Sequence, residues 1–422
     1  MESKVNDYLH RTIDYELDEL MPELAAIALD GPKGVGKTGT AERRSARVIK
    51  LDLEPQRALV ENDPEFSTQP GGTIFLDEWQ YYPPVWNFVR RQVDAGAAPG
   101  RFLLAGSATP VDASGTHSGA GRIVSLRMRP MGLHERGLET PTVSLNDLLN
   151  SPEPAAIEGE TSFAIADYAD AIASSGFPDI MGMSLRSQRI QLDSYLQRVI
   201  DRDLPDQGLT VRSPETLKRW MAAYAAASST TASYSRILDA ATGGDGMQLA
   251  KTTTLRYRDH LAQLWLLDPV PGWTTFRNPL KRVAQSPKHQ LADPALALRL
   301  LGLSSPRLLS ESGAHMFGPL FESLVTLGVR TLAQAAEGRT YHLRMADGSH
   351  EVDLIVEGED GALLAIEVKL SPVVTDRDVQ HLHWLKEKMR GQVSDLVVIN
   401  TGAHAYRRLD GVAVVPLALL GF

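Results

Sequence analysis

The sequence predicts an α/β protein of several domains, and three observations lead there. An apolar run leads into a glycine loop near the N-terminus, as where a buried parallel strand opens onto a helix. Stretches of helical period follow, and two-residue alternation takes over towards the C-terminus. At 422 residues the chain is too long for one compact domain. The divisions expected are 1–140, a parallel-sheet phosphate-loop domain; 141–225, a helical linker or lid; 226–290, a winged-helix-like module; and 291–422, a second α/β domain.

Composition narrows the chemistry. A net charge of −9 argues against a general nucleic-acid coat but leaves room for a local basic patch. With no cysteine, disulfides and thiolate metal sites are excluded, and any metal must be held by oxygen or nitrogen, which favours magnesium-type chemistry. The polar, acidic start MESKVNDYLHRTIDYELDEL does not read as a signal peptide. No apolar run reaches the ~18 residues that span a bilayer. A cytoplasmic location with no membrane partner is expected.

The first element is the apolar run 24–29, LAAIAL, followed by G-x-x-x-x-G-K-T from Gly31 to Thr38. In that context the loop Gly31, Pro32, Lys33, Gly34, Val35, Gly36 is expected to turn several N–H groups towards one anion. Lys37 would reach the β- and γ-phosphates of ATP, and the Thr38 hydroxyl would ligate Mg²⁺. The stretch from Thr38 to Val48 is expected to be helical. The strand TIFLDE follows: Asp77 fits the magnesium-side acid, and Glu78 is placed to orient or deprotonate the attacking water. A third strand, RFLLAGS, ends at Ser107, either a sensor of the γ-phosphate or a plain turn serine, with Thr109 just beyond. In GRIVSLRMRP, Arg122, Arg127 and Arg129 are candidates for a phosphate-facing arginine or for surface ion pairs. Arg122 is preferred because Gly121 frees its backbone. An arginine of this kind often comes from a neighbouring subunit, which would make the protein a homo-oligomer.

Residues 137–160 read as a connector with one helical turn. In YLQRVIDRDLPD, Tyr195, Leu196 and Val199 are expected to face a core. Arg198, Asp201, Arg202 and Asp203 are expected to exchange ion pairs along a solvated helix, the alternative being that Arg198 or Arg202 contacts nucleotide or a partner. SYSRILDAATGG and TTTLRYRDHLAQLWLL read as two helices, the second capped by its threonines. A β-hairpin wing is expected after them, with Arg277, Lys281, Arg282 and Lys288 as its basic side. Such modules contact DNA through helix and wing, and also pack against protein.

In the last region, TYHLRMADGSHEVDLIVEGEDGALLAIEVKL reads as three strands with turns at Asp347-Gly348 and Asp360-Gly361. Alternation puts Glu351 and Asp353 on one face, and Glu367 and Lys369 likewise. Asp353 and Glu367 are suited to bind a second Mg²⁺ or Mn²⁺ that would polarise a phosphodiester, and Lys369 to stabilise the charge that develops. Glu322, on a helix, would complete the shell, and Gln380 would orient substrate. This layout resembles restriction-endonuclease-like, PD-(D/E)XK, nucleases.

The order of these pieces resembles a family of bacterial and archaeal ATPases that join an AAA-type domain to a C-terminal domain of unknown function 4143. The resemblance rests on GPKGVGKT, IFLDEWQ, FLLAGSAT, AGRIVSL with RPMGLHE, YLQRVIDRDLP, and FESLV with EVDLIVE and IEVKL, and it covers nearly the whole chain. It implies ATPase roles for Lys37, Thr38, Asp77 and Glu78, places Arg122 at the family's Gly-Arg position, and gives the C-terminal region a restriction-nuclease-like fold. GTAERRSARVIKLD departs from it, being short and basic where similar proteins have a longer apolar helix. Two functions stand: an Mg²⁺-dependent ATPase acting on DNA through a nuclease-like domain, or a nucleotide-dependent switch that binds a protein partner and keeps that domain as scaffold. ATP-regulated DNA binding without cleavage is a third.

Overall fold

A computed structural model describes residues 8–107, 120–209, 211, 213–242, 251–273 and 286–422. The apolar run near the N-terminus becomes β1 (Ala26–Asp30). It joins β2 (Arg47–Lys50), β3 (Ile74–Asp77), β4 (Phe102–Gly106) and β5 (Val124–Arg127) in one sheet of order β2-β3-β4-β1-β5. Every pairing in it is parallel, so the exits of β1, β3 and β4 line one edge. Alternation sorts the strands onto two faces. Ala26, Ala28, Leu76, Phe102 and Leu104 pack with Val85 and Val89 of the helix Pro84–Asp94, whereas Ile27, Leu29, Phe75, Leu103 and Ala105 face the rest of the protein. Each fully buried Leu or Phe here contributes about 1.5–3 kcal/mol.

The segment after the glycine loop corrects the expectation. Only Lys37–Glu42 is helical, and Arg47–Lys50 pairs with β3 as an edge strand. Hydrogen bonds from Ala46 N and Arg47 N to Thr73 O bring the chain back to the sheet. The connector 137–160 holds β6 (Val143–Ser144) and the helix Leu145–Asn150.

The C-terminal sheet contains β7 (Arg339–Arg344), β8 (Glu351–Glu357), β9 (Leu363–Val368), β10 (Val393–Asn400), β11 (Tyr406–Arg407) and β12 (Ala413–Pro416), in the order β11-β12-β10-β9-β8-β7. It is mixed: β8 runs antiparallel to both of its neighbours, β7 and β9, while β9, β10 and β12 are parallel. The last strand, β13 (Leu420–Gly421), returns to pair with β6.

Between the two sheets lie helices. The longest, Ala314–Ala335, is buried along most of its length. One continuous core runs from Ile27 and Leu103 of the first sheet, through Phe321, Leu324 and Val325 of that helix, to Leu354 and Ile366 of the second. The regions are therefore welded rather than strung on a linker. Among the described residues no helix is long and apolar enough to cross a membrane.

The expected wing falls partly on residues 274–285, so Arg277, Lys281 and Arg282 lie outside the described residues, as does Thr109. What flanks them is paired: Leu267 bridges Leu291, and Val270 bridges Lys288, both antiparallel. Thr252, Thr253 and Thr254 lie within the helix Lys251–Gln263 rather than before it.

Candidate functional sites

The exit of β1 explains why the loop needs its glycines. Met128 N–H donates to Asp30 O at 2.8 Å, which draws the chain beyond β5 against the loop. A Cβ at Gly31 would lie 2.1 Å from the Met128 carbonyl oxygen, so no side chain fits there. Gly36, at φ 97°, sits in the left-handed region that favours glycine and starts the helix. That turn aims Lys37 back along the loop. Its Nζ donates to Gly31 O at 2.7 Å and Pro32 O at 2.8 Å, and burial pushes the ammonium down to about 8. The Thr38 hydroxyl lies 3.2 Å from each Asp77 carboxylate oxygen. Burial and then the neighbouring Glu78 push the Asp77 carboxyl up to about 6.

Glu78 has φ 54°, left-handed backbone for a side chain that disfavours it. Its Oε2 accepts from the Gln80 amide and, at 3.3 Å, from Ser107 Oγ, while Gln80 Nε2 donates to Ser107 Oγ at 3.1 Å. The ends of β3 and β4 are thereby joined by a clasp. Gln80 was visible in IFLDEWQ, but nothing local indicated its partner.

Two cavities flank the loop. One, of about 660 Å³, is lined by Gly36, Lys37, Thr38 and Glu78 with Tyr8, Arg43, Pro178 and Met181. The other, of about 950 Å³, meets Lys33, Gln80 and Ser107 on one side and Arg202, Asp203 and Arg256 on the other. Asp203 closes the π-helical turn Val199–Asp203 and accepts from Lys33 Nζ at 2.6 Å. This corrects the expectation of ion pairs exchanged along that helix: Asp203 reaches across to the phosphate loop. Arg198 and Arg202 are exposed, while Leu196 and Val199 are in the core as expected. Arg11 also braces the loop, donating to Val35 O at 2.7 Å and to Glu135 Oε1 at 3.2 Å. Despite burial, Arg11 and the other partners of Glu135 hold its carboxyl down at about 2.

Of the arginines of GRIVSLRMRP, Arg127 pairs in register with Asp30 at the loop's edge and its charge reaches Lys37, whereas Arg122 is not brought there. Val124 pairs with Ile27 near the start of β1, so Arg122 lies at the opposite end of the parallel sheet, where it pairs with Asp94 at 2.8 Å. Arg127 stacks over the Trp265 ring at 3.9 Å, and Arg129 pairs with Asp268 at 2.7 Å. These two tie the first sheet to the helical region.

A second group forms in the C-terminal region. β8 and β9 pair Leu354 with Ile366, which brings Asp353 and Glu367 together at the end of the ladder. Val368 N–H donates to Asp353 Oδ2 at 2.9 Å, and Lys369 Nζ donates to Glu367 Oε1 at 2.7 Å. Glu322 enters from the long helix, and Gln380 lines the same cleft of about 520 Å³. Burial, then the charge of Asp353, pushes both Glu322 and Glu367 up. Burial also acts to raise Asp353, but Lys288 and the Val368 N–H outweigh it and hold that carboxyl below its usual range.

Lys288 is the largest correction. Expected on the basic, outward side of a wing, it is 1% exposed and points into the carboxylates. Its Nζ lies 2.7 Å from Glu322 Oε1 and 3.1 Å from Asp353 Oδ1.

Comparison with known proteins bears on both groups. Residues 24–136 match an AAA domain, and residues 317–420 match the domain of unknown function DUF4143. The chain joins an AAA domain to a DUF4143 domain. Between them, residues 165–307 match another domain of unknown function, DUF8612. The N-terminal part is thus an ATPase-type P-loop domain, and the C-terminal part an α/β domain with a mixed sheet. Uncharacterized protein Mb2031c of Mycobacterium bovis and uncharacterized protein Rv2008c of Mycobacterium tuberculosis are each 26% identical to this chain over 408 residues, covering 92% of it and 79% of themselves. Among solved structures, the Aeropyrum pernix ORC2 protein in ADPNP–ADP complexes aligns at 15% identity and a TM-score of 0.28, over 69% of this chain and 89% of that one. Replication initiator DnaA bound to AMPPCP and single-stranded DNA aligns at 13% identity and a TM-score of 0.23, over 59% and 86%.

Proposed function

We propose that this protein is an Mg²⁺-dependent ATPase that acts on DNA through its C-terminal domain. The observation that carries the ATPase reading is the convergence of Lys37, Thr38, Asp77 and Glu78 at one edge of the parallel sheet. Lys37 is held by two carbonyl oxygens, and among the described residues no carboxylate is hydrogen-bonded to it, so phosphate oxygens can replace those acceptors. Thr38 and Asp77 supply a hydroxyl and a carboxylate, the hard oxygen donors that suit Mg²⁺. Bound there, Mg²⁺ would offset charge on the phosphate oxygens. Glu78 orients the attacking water and takes its proton as the water's oxygen bonds to the γ-phosphorus and the bond to ADP breaks. Gln80 and Ser107 position Glu78, with Ser107 sensing the γ-phosphate. Arg122 can serve only a neighbouring copy, which would make the working form a homo-oligomer.

On this reading the division 1–140, 141–225, 226–290 and 291–422 stands, with a winged-helix-like third part whose Arg277, Lys281 and Arg282 contact DNA, a restriction-endonuclease-like fourth, and a cytoplasmic location. Steady-state hydrolysis with Mg²⁺ tests the core of it. Lys37→Ala should abolish turnover, and Glu78→Gln should slow kcat by about 10²–10⁴ while nucleotide still binds. Turnover by Lys37→Ala at the unaltered rate would sink the assignment.

A second reading, a nucleotide-dependent switch with a non-cleaving C-terminal domain that binds a protein partner, draws support from one observation: the lysine buried among the carboxylates.

A further inference from the structure

Lys288 reaches the C-terminal carboxylates from outside the strands that carry them, and its route is fixed by backbone pairing. Val270 and Lys288 exchange hydrogen bonds at 2.9 Å in both directions. Two residues further on, Gly272 bridges His342 of β7, and Trp273 N–H donates to His342 O at 2.6 Å. The Trp273 ring is buried with Leu343 and Val352. His342 Nε2 lies 3.1 Å from Ser286 O. The segment that holds Lys288 is thus bound to the edge of the C-terminal sheet on both of its strands.

At the end of this route the ammonium is fully satisfied. Its acceptors are Glu322 Oε1 at 2.7 Å, Asp353 Oδ1 at 3.1 Å and the Asp353 carbonyl oxygen at 3.3 Å, with Glu351 Oε1 3.9 Å away. Three N–H donors meet three oxygens, which is the capacity of a lysine. A divalent cation bound to Glu322 and Asp353 would need the same oxygens and would lie against the like charge of the buried ammonium. Among the described residues no three His, Asp or Glu side chains converge to hold a metal ion. The donor set that a nuclease-type metal requires is present in kind, but both oxygens of Asp353 are already taken, Oδ1 by Lys288 and Oδ2 by the Val368 N–H, while Glu367 Oε2 is buried without a partner among the described residues.

We propose that Lys288 is the resident cation of this cluster: its ammonium holds Asp353, the carboxylate that a divalent metal would have to share with Glu367, together with Glu322, so the C-terminal domain holds no metal there and does not hydrolyse phosphodiesters. The inference rests on the restriction-endonuclease-like reading of this face and is independent of the ATPase reading. The DNA action proposed above becomes binding without cleavage.

The test is Mn²⁺ binding by the full chain, followed through loss of the free-ion paramagnetic resonance signal, without nucleotide. Asp77→Asn is carried throughout, so that the N-terminal site does not contribute. The expected result is no site in this background, a Mn²⁺ site gained on adding Lys288→Met, and that site lost again on adding Asp353→Asn. A Mn²⁺ site present with Lys288 intact and abolished by Asp353→Asn would overturn the proposal, as would a folded Lys288→Met chain that gains none. Should Lys288→Met not fold, the comparison with and without Asp353→Asn decides alone. Plasmid cleavage by the unaltered chain with Mn²⁺, abolished by Lys369→Ala, would overturn it too. Neither readout uses ATP hydrolysis, so a failure here leaves the ATPase assignment standing, and a failure there leaves this one.

Discussion

Among the described residues two lysines are buried close to acidic groups, and their surroundings differ in one respect. Lys37 donates to two neutral carbonyl oxygens, whereas Lys288 donates to two carboxylates and a carbonyl. Burial dominates at Lys37 and lowers its ammonium to about 8; at Lys288 the charges of Asp353 and Glu322 outweigh burial and raise it. The aspartates diverge as well. Asp77 has the Thr38 hydroxyl and is pushed up to about 6, while Asp353 faces Lys288 and is pulled down. A buried cation held by dipoles still lacks a counter-ion and is ready for an anionic ligand. A buried cation held by carboxylates is complete. The same side-chain types therefore make a binding site at one end of the molecule and a closed ion cluster at the other.

The sharpest way to break this comparison is to remove Lys288. Lys288→Met leaves Glu322 and Asp353 buried without their counter-ion, and removing one member of a buried pair costs about 3–5 kcal/mol. We expect that loss in chemical denaturation of the full chain, partly restored by adding Glu322→Gln. A loss under about 1 kcal/mol would mean that the carboxylates relax into water, and the contrast with Lys37 would lapse.

A smaller effect follows from Asp77. Its carboxyl titrates near 6 in the nucleotide-free protein, and only the ionised form can ligate Mg²⁺. The sign is that of a raised acid: affinity for the Mg²⁺–nucleotide complex is flat between about 6 and 8, where Asp77 is ionised and Lys37 still carries its proton, and falls by about tenfold per pH unit below about 6. Fluorescent-nucleotide titrations between pH 5 and 8 check this. Affinity that holds constant down to pH 5 would show that Asp77 is already ionised there.

How much of this was legible follows the distance in sequence between partners. GPKGVGKT and the LDE strand end were readable because the loop, its lysine and the strand exits are each contiguous. Asp353, Glu367 and Lys369 were readable because alternation in a strand is a local rule. Lys288 was not: it stands 34 residues before Glu322 and 65 before Asp353, and a lysine in a basic, polar stretch has nothing local to mark it as buried. That Arg122 lies away from Lys37 of its own chain was not legible for a related reason. Its type and its glycine were visible, but the parallel direction of β5, which puts it at the far edge, is a property of the assembled sheet.

The smallest test concerns the bridge between the P-loop and the helical region. Lys33 and Asp203 lie 2.6 Å apart, with side chains 38% and 12% exposed, so water screens the pair and it contributes no more than about 1 kcal/mol to stability. Its position matters more than its strength. Asp203 ends a π-helical turn, a distortion that recurs at functional sites, and grips the loop beside Lys37. If the bridge reports nucleotide state to the helices, Asp203→Asn should leave the unfolding midpoint nearly unchanged and yet reduce the change in hydrogen exchange over Val199–Asp203 when nucleotide binds. An equal exchange response in the variant and the unaltered chain would reduce the contact to packing, and the P-loop would then speak to the rest of the molecule through the shared core alone.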